Sequence, residues 1–111
     1  MKVGLIRCMK TEDMCSSSMD LKAMKEKKGA FKGIEEDIEL IGINTCGGCN
    51  GEKAAARAAK MIKHGADTIA LATCITKMSP LGNPCPYAEQ MKAAIENKLC
   101  GKYKLIDHTH S

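Results

Sequence analysis

Cysteine is the residue type with the most chemical potential in this chain, since it occurs seven times in 111 residues. Two of these cysteines form the motif Cys46-Gly47-Gly48-Cys49. The two-residue spacing lets both thiolates bind one metal ion, and the glycines permit positive φ and close backbone approach. The same spacing ahead of a helix is also typical of a redox dithiol, because the helix dipole and free N–H groups favour a thiolate. The motif alone leaves metal binding and thiol-disulfide chemistry both open.

The elements that must position these cysteines alternate along the chain. Short aliphatic runs at residues 3–6, 38–43, 68–72 and 103–106 are typical of strands covered on both faces of a parallel sheet. Helical patterns at about 20–28, 51–64 and 86–101 separate them, and Pro86 suits a first helical turn. The order predicts a single-domain three-layer α/β/α sandwich. Its four-stranded parallel sheet would have the flavodoxin-like order 2-1-3-4.

Two of the helical patterns predict which side chains are buried, because their apolar residues repeat at helical spacing. In the second helix the stripe is rich in alanine, so this helix could lie close to the sheet. The predicted buried residues are Ala54, Ala55, Ala58, Met61 and Ile62 in the second helix and Ala88, Met91, Ile95 and Leu99 in the third.

Six cysteines follow predicted strands directly or stand in the loops behind them, and two histidines follow the fourth strand. The carboxyl ends of parallel strands meet at one edge of a sheet, which is where open α/β folds bind ligands. We therefore expect these donors to converge on that edge, and we expect Cys100 and His64, at predicted helix ends, to take no part. The converging candidates are Cys8, Cys15, Cys46, Cys49, Cys74, Cys85 and His110, with His108 as a weaker one.

The chain resembles the small prokaryotic CGGC-domain proteins, a family named for its central motif. The motifs that carry the resemblance are Arg7-Cys8, Thr11-Glu12, Cys15, Lys27-Lys28-Gly29-Ala30-Phe31, Cys46-Gly47-Gly48-Cys49, Gly65-Ala66-Asp67-Thr68-Ile69, Cys74, Pro84-Cys85-Pro86 and Thr109-His110. The resemblance implies one metal-binding domain over residues 1–111, with zinc as the metal and the seven converging candidates above as its donors. It implies no reaction. Ser16-Ser17-Ser18 and Cys100 depart from the pattern of the family.

The number of donors allows several kinds of centre, because a structural zinc ion needs only four. One closed zinc site with spare thiols, two metals sharing a thiolate, and an iron–sulfur cluster on four cysteines are all compatible with soft thiolate ligands. Zinc is the primary expectation. The alternative is a thiol-disulfide or Fe–S redox protein that uses Cys46 and Cys49. Lys10 and Lys77, in the predicted loops, could offset the negative charge of the thiolates.

Composition and charge exclude other classes of function. The net charge is +4, but Arg7 and Arg57 are the only arginines and aromatic residues make up 3% of the chain, so we expect no nucleic-acid partner. No apolar stretch approaches the roughly 20 residues of a membrane span, and the first residues turn polar too early for a signal peptide. We therefore expect no membrane partner and a cytoplasmic location, where clustered cysteines indicate metal or redox chemistry rather than disulfides.

Enzymatic activity and protein partners stay open. A phosphatase-type Cys-x₅-Arg motif is absent, because Met14 and Pro80 stand where the arginine would follow Cys8 or Cys74. No phosphate-binding glycine loop is present either. A nucleophilic pair of Cys8 and His110 across the sheet edge remains compatible with the sequence.

Overall fold

Strands and helices alternate along the parts of the chain that the structure, a computed structural model, describes: residues 1–9, 16–48, 52–76 and 85–109. The strands are β1 (Lys2–Arg7), β2 (Glu39–Thr45), β3 (Thr68–Leu71) and β4 (Lys104–Ile106). The helices are α1 (Ser18–Glu26), α2 (Glu52–Lys63), α3 (Thr73–Thr76) and α4 (Ala88–Leu99), with a 3₁₀ turn at Gly29–Phe31. None of the helices in these ranges has the length and apolarity needed to span a membrane.

The four strands form one parallel sheet in the order β2-β1-β3-β4, as predicted from the sequence. Right-handed crossovers in such a sheet put α1 on one face and α2 and α4 on the other. The packing of α2 against α4 agrees with that arrangement. The predicted α/β class and strand order are therefore confirmed.

The core lies between the sheet and the helices on its two faces. All four residues of β3 are buried, because this strand is paired on both sides and covered on both faces. The four residues predicted for α4 are all buried. In α2 the predicted stripe is buried at Ala54, Ala58 and Met61, whereas Ala55 and Ile62 are half-buried.

Helix α2 lies close to the sheet, as its alanine content suggested. A Cβ atom added at Gly4 of β1 would stand 2.9 Å from Met61 Sδ and 3.0 Å from Met61 Cβ. Met61 would have to shift if residue 4 carried a Cβ atom, so Gly4 leaves the space that Met61 fills. The helix that follows the CGGC motif is thereby seated directly on the central strand.

Three local predictions were wrong. Residues 38–43 were expected to be covered on both faces, but Leu40 and Ile43 are 36% and 43% exposed, because β2 is an edge strand. Helix α4 begins at Ala88, not at Pro86, because residues 85–88 form a turn in which the Ala88 N–H donates to the Cys85 carbonyl at 3.1 Å. Cys74, expected in a loop, lies in the short helix α3. A helix of four residues is too short for a hydrophobic period to reveal it.

The amino edge of the sheet, opposite the cysteines, carries one perturbed carboxyl group. The Thr68 hydroxyl donates to Asp67 Oδ1 at 2.9 Å and the Lys2 N–H donates to the same oxygen at 3.1 Å. The Thr68 hydrogen bond, with help from the Lys2 N–H and nearby positive charges, holds the pKa of Asp67 below its ordinary value. The carboxylate therefore joins the first residues of β1 and β3.

We expect Asp67→Asn to lower stability slightly near neutral pH and to have no effect in strong acid. A carboxyl group whose folded pKa is lowered stabilises the protein above its unfolded pKa, and this stabilisation is lost as the pH falls through the folded value. Thermal unfolding of both proteins between about pH 7 and pH 2 would measure it. A difference in melting temperature that stayed constant over that range would contradict the role of the carboxylate.

Candidate metal centre

The registers of the sheet bring Cys8 and Cys46 to its carboxyl edge side by side. Arg7 and Thr45, the last residues of β1 and β2, are paired, and the Cys46 N–H extends this ladder by donating to the Arg7 carbonyl at 2.8 Å. Each cysteine comes directly after its strand. Cys46 is buried and Cys8 is half-buried. Residues 38 positions apart in the chain thus become neighbours along one edge.

The turn after Cys46 depends on its two glycines. Gly47 has φ +83° and Gly48 has φ +117°, both in the region that residues with side chains rarely adopt. A Cβ atom at Gly47 would also stand 2.6 Å from the Cβ of Lys53, which belongs to the first turns of α2. The Cys46 thiol lies 3.7 Å from the Gly48 carbonyl oxygen, to which it donates. A side chain at residue 47 would therefore collide with the first turn of α2.

Positive charge lies against this turn. Arg57 Nη1 donates to the Thr45 carbonyl at 3.2 Å and to Thr45 Oγ1 at 2.9 Å. The guanidinium carbon of Arg57 is 3.2 Å from the position of a Cβ at Gly47, and Lys53 lies on the same side. Lys53 and Arg57 were not identified from the sequence as compensating cations. Lys10 and Lys77 were predicted instead, and they lie outside the described residues. The four-residue spacing of Lys53 and Arg57 just behind the motif was the available signal.

Cys74 and Cys85 come from the connection that follows β3. Cys74 is buried in the core on α3, and Cys85 is half-buried ahead of α4. The Cys85 N–H donates to the Ile75 carbonyl at 2.8 Å, so the start of α4 is joined to α3. The Tyr87 N–H contacts Cys85 Sγ at 3.4 Å. Backbone N–H donors of this kind stabilise sulfur that carries negative charge, as in metal thiolates.

The remaining cysteines and histidines fall into three groups. Cys15, Cys49 and His110 lie outside the described residues. Cys100 is exposed at the C-terminal end of α4, far from the carboxyl edge, and His64 is exposed just beyond α2. His108 Nδ1 is 2.8 Å from Asp107 Oδ1, so its imidazole forms a local ion pair when protonated.

The described residues do not complete a metal site by themselves. No three Cys, His, Asp or Glu side chains in residues 1–9, 16–48, 52–76 and 85–109 group closely enough to hold an ion. No disulfide joins any two of the cysteines in these ranges. The strand register therefore brings Cys8 beside Cys46, but the predicted convergence of the described cysteines into one cluster is not seen in these ranges. The full ligand set, which includes three residues outside these ranges, stays a prediction.

The fold and the cysteines at its carboxyl edge define a small parallel α/β fold in which Cys46 leads into a turn of two glycines. The chain belongs to the CGGC domain family, whose sequence model matches residues 2–110. It is 38% identical over 94 residues to the uncharacterized protein MJ0582 of Methanocaldococcus jannaschii, covering 78% of this chain and 69% of that protein. It is 38% identical over 69 residues to the uncharacterized protein MJ0766 of the same organism, covering 61% and 98%. No solved structure matches the chain significantly.

Proposed function

We propose that this protein binds a transition metal, zinc, through cysteine thiolates at the carboxyl edge of its sheet. The observation that carries the proposal is the register of β1 and β2, which ends with Cys8 beside Cys46. A closed zinc site takes four ligands, and the proposed donors come from the three connections that follow β1, β2 and β3 and from the residues after β4. They are Cys8, Cys15, Cys46, Cys49, Cys74, Cys85 and His110.

The chemistry of the described part of the edge fits such a centre. Thiolates are the ligands that Zn²⁺ shares with Cu(I) and iron–sulfur clusters, and a site with several thiolates carries a net negative charge. Burying that charge is costly unless it is compensated. Arg57 and Lys53 beside the Gly47 turn, and the N–H group that Tyr87 points at Cys85 Sγ, supply compensation of the required sign.

Elemental analysis of the protein purified without chelator tests the proposal. We expect about one zinc ion per chain, as for a closed four-ligand site. Less than about 0.2 ion per chain of any thiophilic metal, with the thiols shown to be reduced, would overturn the proposal. Strong visible absorbance near about 400 nm after anaerobic purification would indicate an iron–sulfur cluster instead of zinc. A metal-free protein with a reversible Cys46–Cys49 disulfide would favour the redox alternative.

Removal of the metal should also change stability. A ligand that binds the folded state stabilises it, so we expect chelation to lower the melting temperature of metal-loaded protein. Because thiols must lose protons before they bind, metal affinity should fall as the pH decreases through the thiol range. Calorimetry with and without chelator, at several pH values, measures both effects. An identical melting temperature before and after chelation of fully loaded protein would contradict a metal that supports the fold.

A further inference from the structure

The last described residues of the chain are held inside the fold. Thr109 is completely buried. Its N–H donates to Thr73 Oγ1 at 3.1 Å, and its carbonyl accepts from the Ala30 N–H at 3.1 Å. Its hydroxyl donates to Asp20 Oδ1 and lies 3.3 Å from Thr73 Oγ1. Every polar group of this buried residue is thus hydrogen-bonded to the fold, as burial requires.

Asp20 is the most unusual member of this group. It stands in the first turn of α1, and only 2% of its surface is exposed. A buried carboxyl group is costly unless it accepts hydrogen bonds, and the hydroxyl of Thr109 supplies one from a residue 89 positions away. A helix that needed only an acidic residue near its N-terminus would gain as much from an exposed one. The burial of Asp20 is thus tied to the C-terminal segment.

The same segment contacts the helix that carries Cys74. Thr73, which precedes Cys74 on α3, accepts the Thr109 N–H, and the Thr76 hydroxyl donates to the Asp107 carbonyl. Residues 107–109 therefore lie along α3, between that helix and α1. In the sequence, Thr109 directly precedes His110, one of the proposed donors.

We propose that Asp20, Thr73 and Thr109 form a latch that fixes residues 107–109 against α3 and so positions Cys74, which follows Thr73 on that helix. In the metal site they are positioning residues and bind no metal themselves. This inference rests on the proposed function for its link to the metal. The hydrogen bonds of the latch involve no metal, so the latch is tested in protein from which metal has been removed.

Hydrogen exchange of the Ala30 amide, measured by NMR in the metal-free protein, reports opening of the latch. We expect Thr109→Val, which removes the hydroxyl but keeps the shape, to accelerate this exchange by about 10-fold, as the loss of a buried hydrogen bond implies. Thr109→Ser keeps the hydroxyl and should exchange like the unchanged protein. Ile95→Val, in the core of α4, lowers global stability without touching the latch and should leave Ala30 unaffected. Equal exchange in Thr109→Val and Thr109→Ser would overturn the latch.

A double-mutant cycle and a zinc titration complete the test. Asp20→Ala and Thr109→Val remove the same hydrogen bond, so their losses of unfolding free energy should be less than additive. Adding Thr109→Val to Asp20→Ala should cost less unfolding free energy than Thr109→Val costs alone. Strict additivity would show that the two residues do not act together.

Thr109→Val should weaken zinc affinity by roughly 5-fold relative to Thr109→Ser, the lower end of couplings between sites. Faster exchange with unchanged affinity would overturn the positioning role but keep the latch. If the unchanged protein bound no zinc, the proposed function would fail while the exchange data still decided the latch.

Discussion

Replacing Cys46 by serine is expected to remove most of the bound metal from the protein. Cys46 is the candidate with the best-defined surroundings, since its N–H belongs to the β1–β2 ladder and its side chain is buried beside the Gly47 turn. A serine hydroxyl is nearly the same size but does not ionise near neutral pH and is a poor ligand for zinc. Loss of a neighbour that only supports a ligand weakens affinity 10- to 100-fold, so loss of the ligand should exceed about 100-fold.

Cys100→Ser is the matched control for this experiment. It makes the same chemical change at the exposed end of α4, so metal content and affinity should stay as they are. Native mass spectrometry gives the content, and competition with a chromophoric chelator gives the affinity. Unfolding in denaturant without metal shows whether Cys46→Ser has harmed the fold instead. Full metal content in a folded Cys46→Ser protein would remove this residue from the ligand set, and loss in Cys100→Ser would contradict the site at the carboxyl edge.

The parallel strands and the buried face of α4 were predictable because both follow from hydrophobic pattern, and the strand order follows from right-handed crossovers. The run from Thr68 to Leu71 has no polar face, which is typical of a central strand covered on both sides. In α4 the spacing of Met91, Ile95 and Leu99 admits one buried stripe. The start of α4 was not predictable in this way, because Pro86 fits both a first helical turn and the turn that precedes a helix.

The sequence predicts which cysteines follow the strand ends, but it does not predict which side chains contact one another at the site. That Cys8 and Cys46 follow parallel strands puts them at one edge, whatever the details of packing. The distance between Arg57 and Gly47 depends on how closely α2 packs against the sheet. That packing distance is set by Met61, which packs into the space left by Gly4. Asp20 looked like an ordinary acidic residue at a helix start. Its partner Thr109 is distant in the sequence, so no local pattern could reveal the pair.

Gly47→Ala is expected to destabilise the metal-free protein more than the same substitution at Gly33, another glycine with positive φ. Alanine at φ +83° costs about 1–2 kcal/mol because its Cβ approaches the following carbonyl oxygen. The new Cβ would also stand 2.6 Å from the Cβ of Lys53, an atom fixed to the backbone of α2 that cannot move aside alone. Displacing a packed helix adds roughly 1–3 kcal/mol. We therefore expect a total loss of about 2–5 kcal/mol in the free energy of unfolding.

Gly33→Ala separates the two contributions, because Gly33 has the same φ of +83° and nothing within 4 Å of an added Cβ. Its loss should stay at about 1–2 kcal/mol, the backbone part alone. Urea unfolding of both variants without metal measures the difference. Equal losses would mean that α2 yields to the new methyl group at little cost. A larger loss of unfolding free energy at Gly47 would show that α2 packs in its position only if residue 47 has no side chain. The turn that holds Cys46 would then depend on the same packing. Metal binding by Gly47→Ala should then be weakened even under conditions in which the variant is fully folded, whereas Gly33→Ala should bind normally.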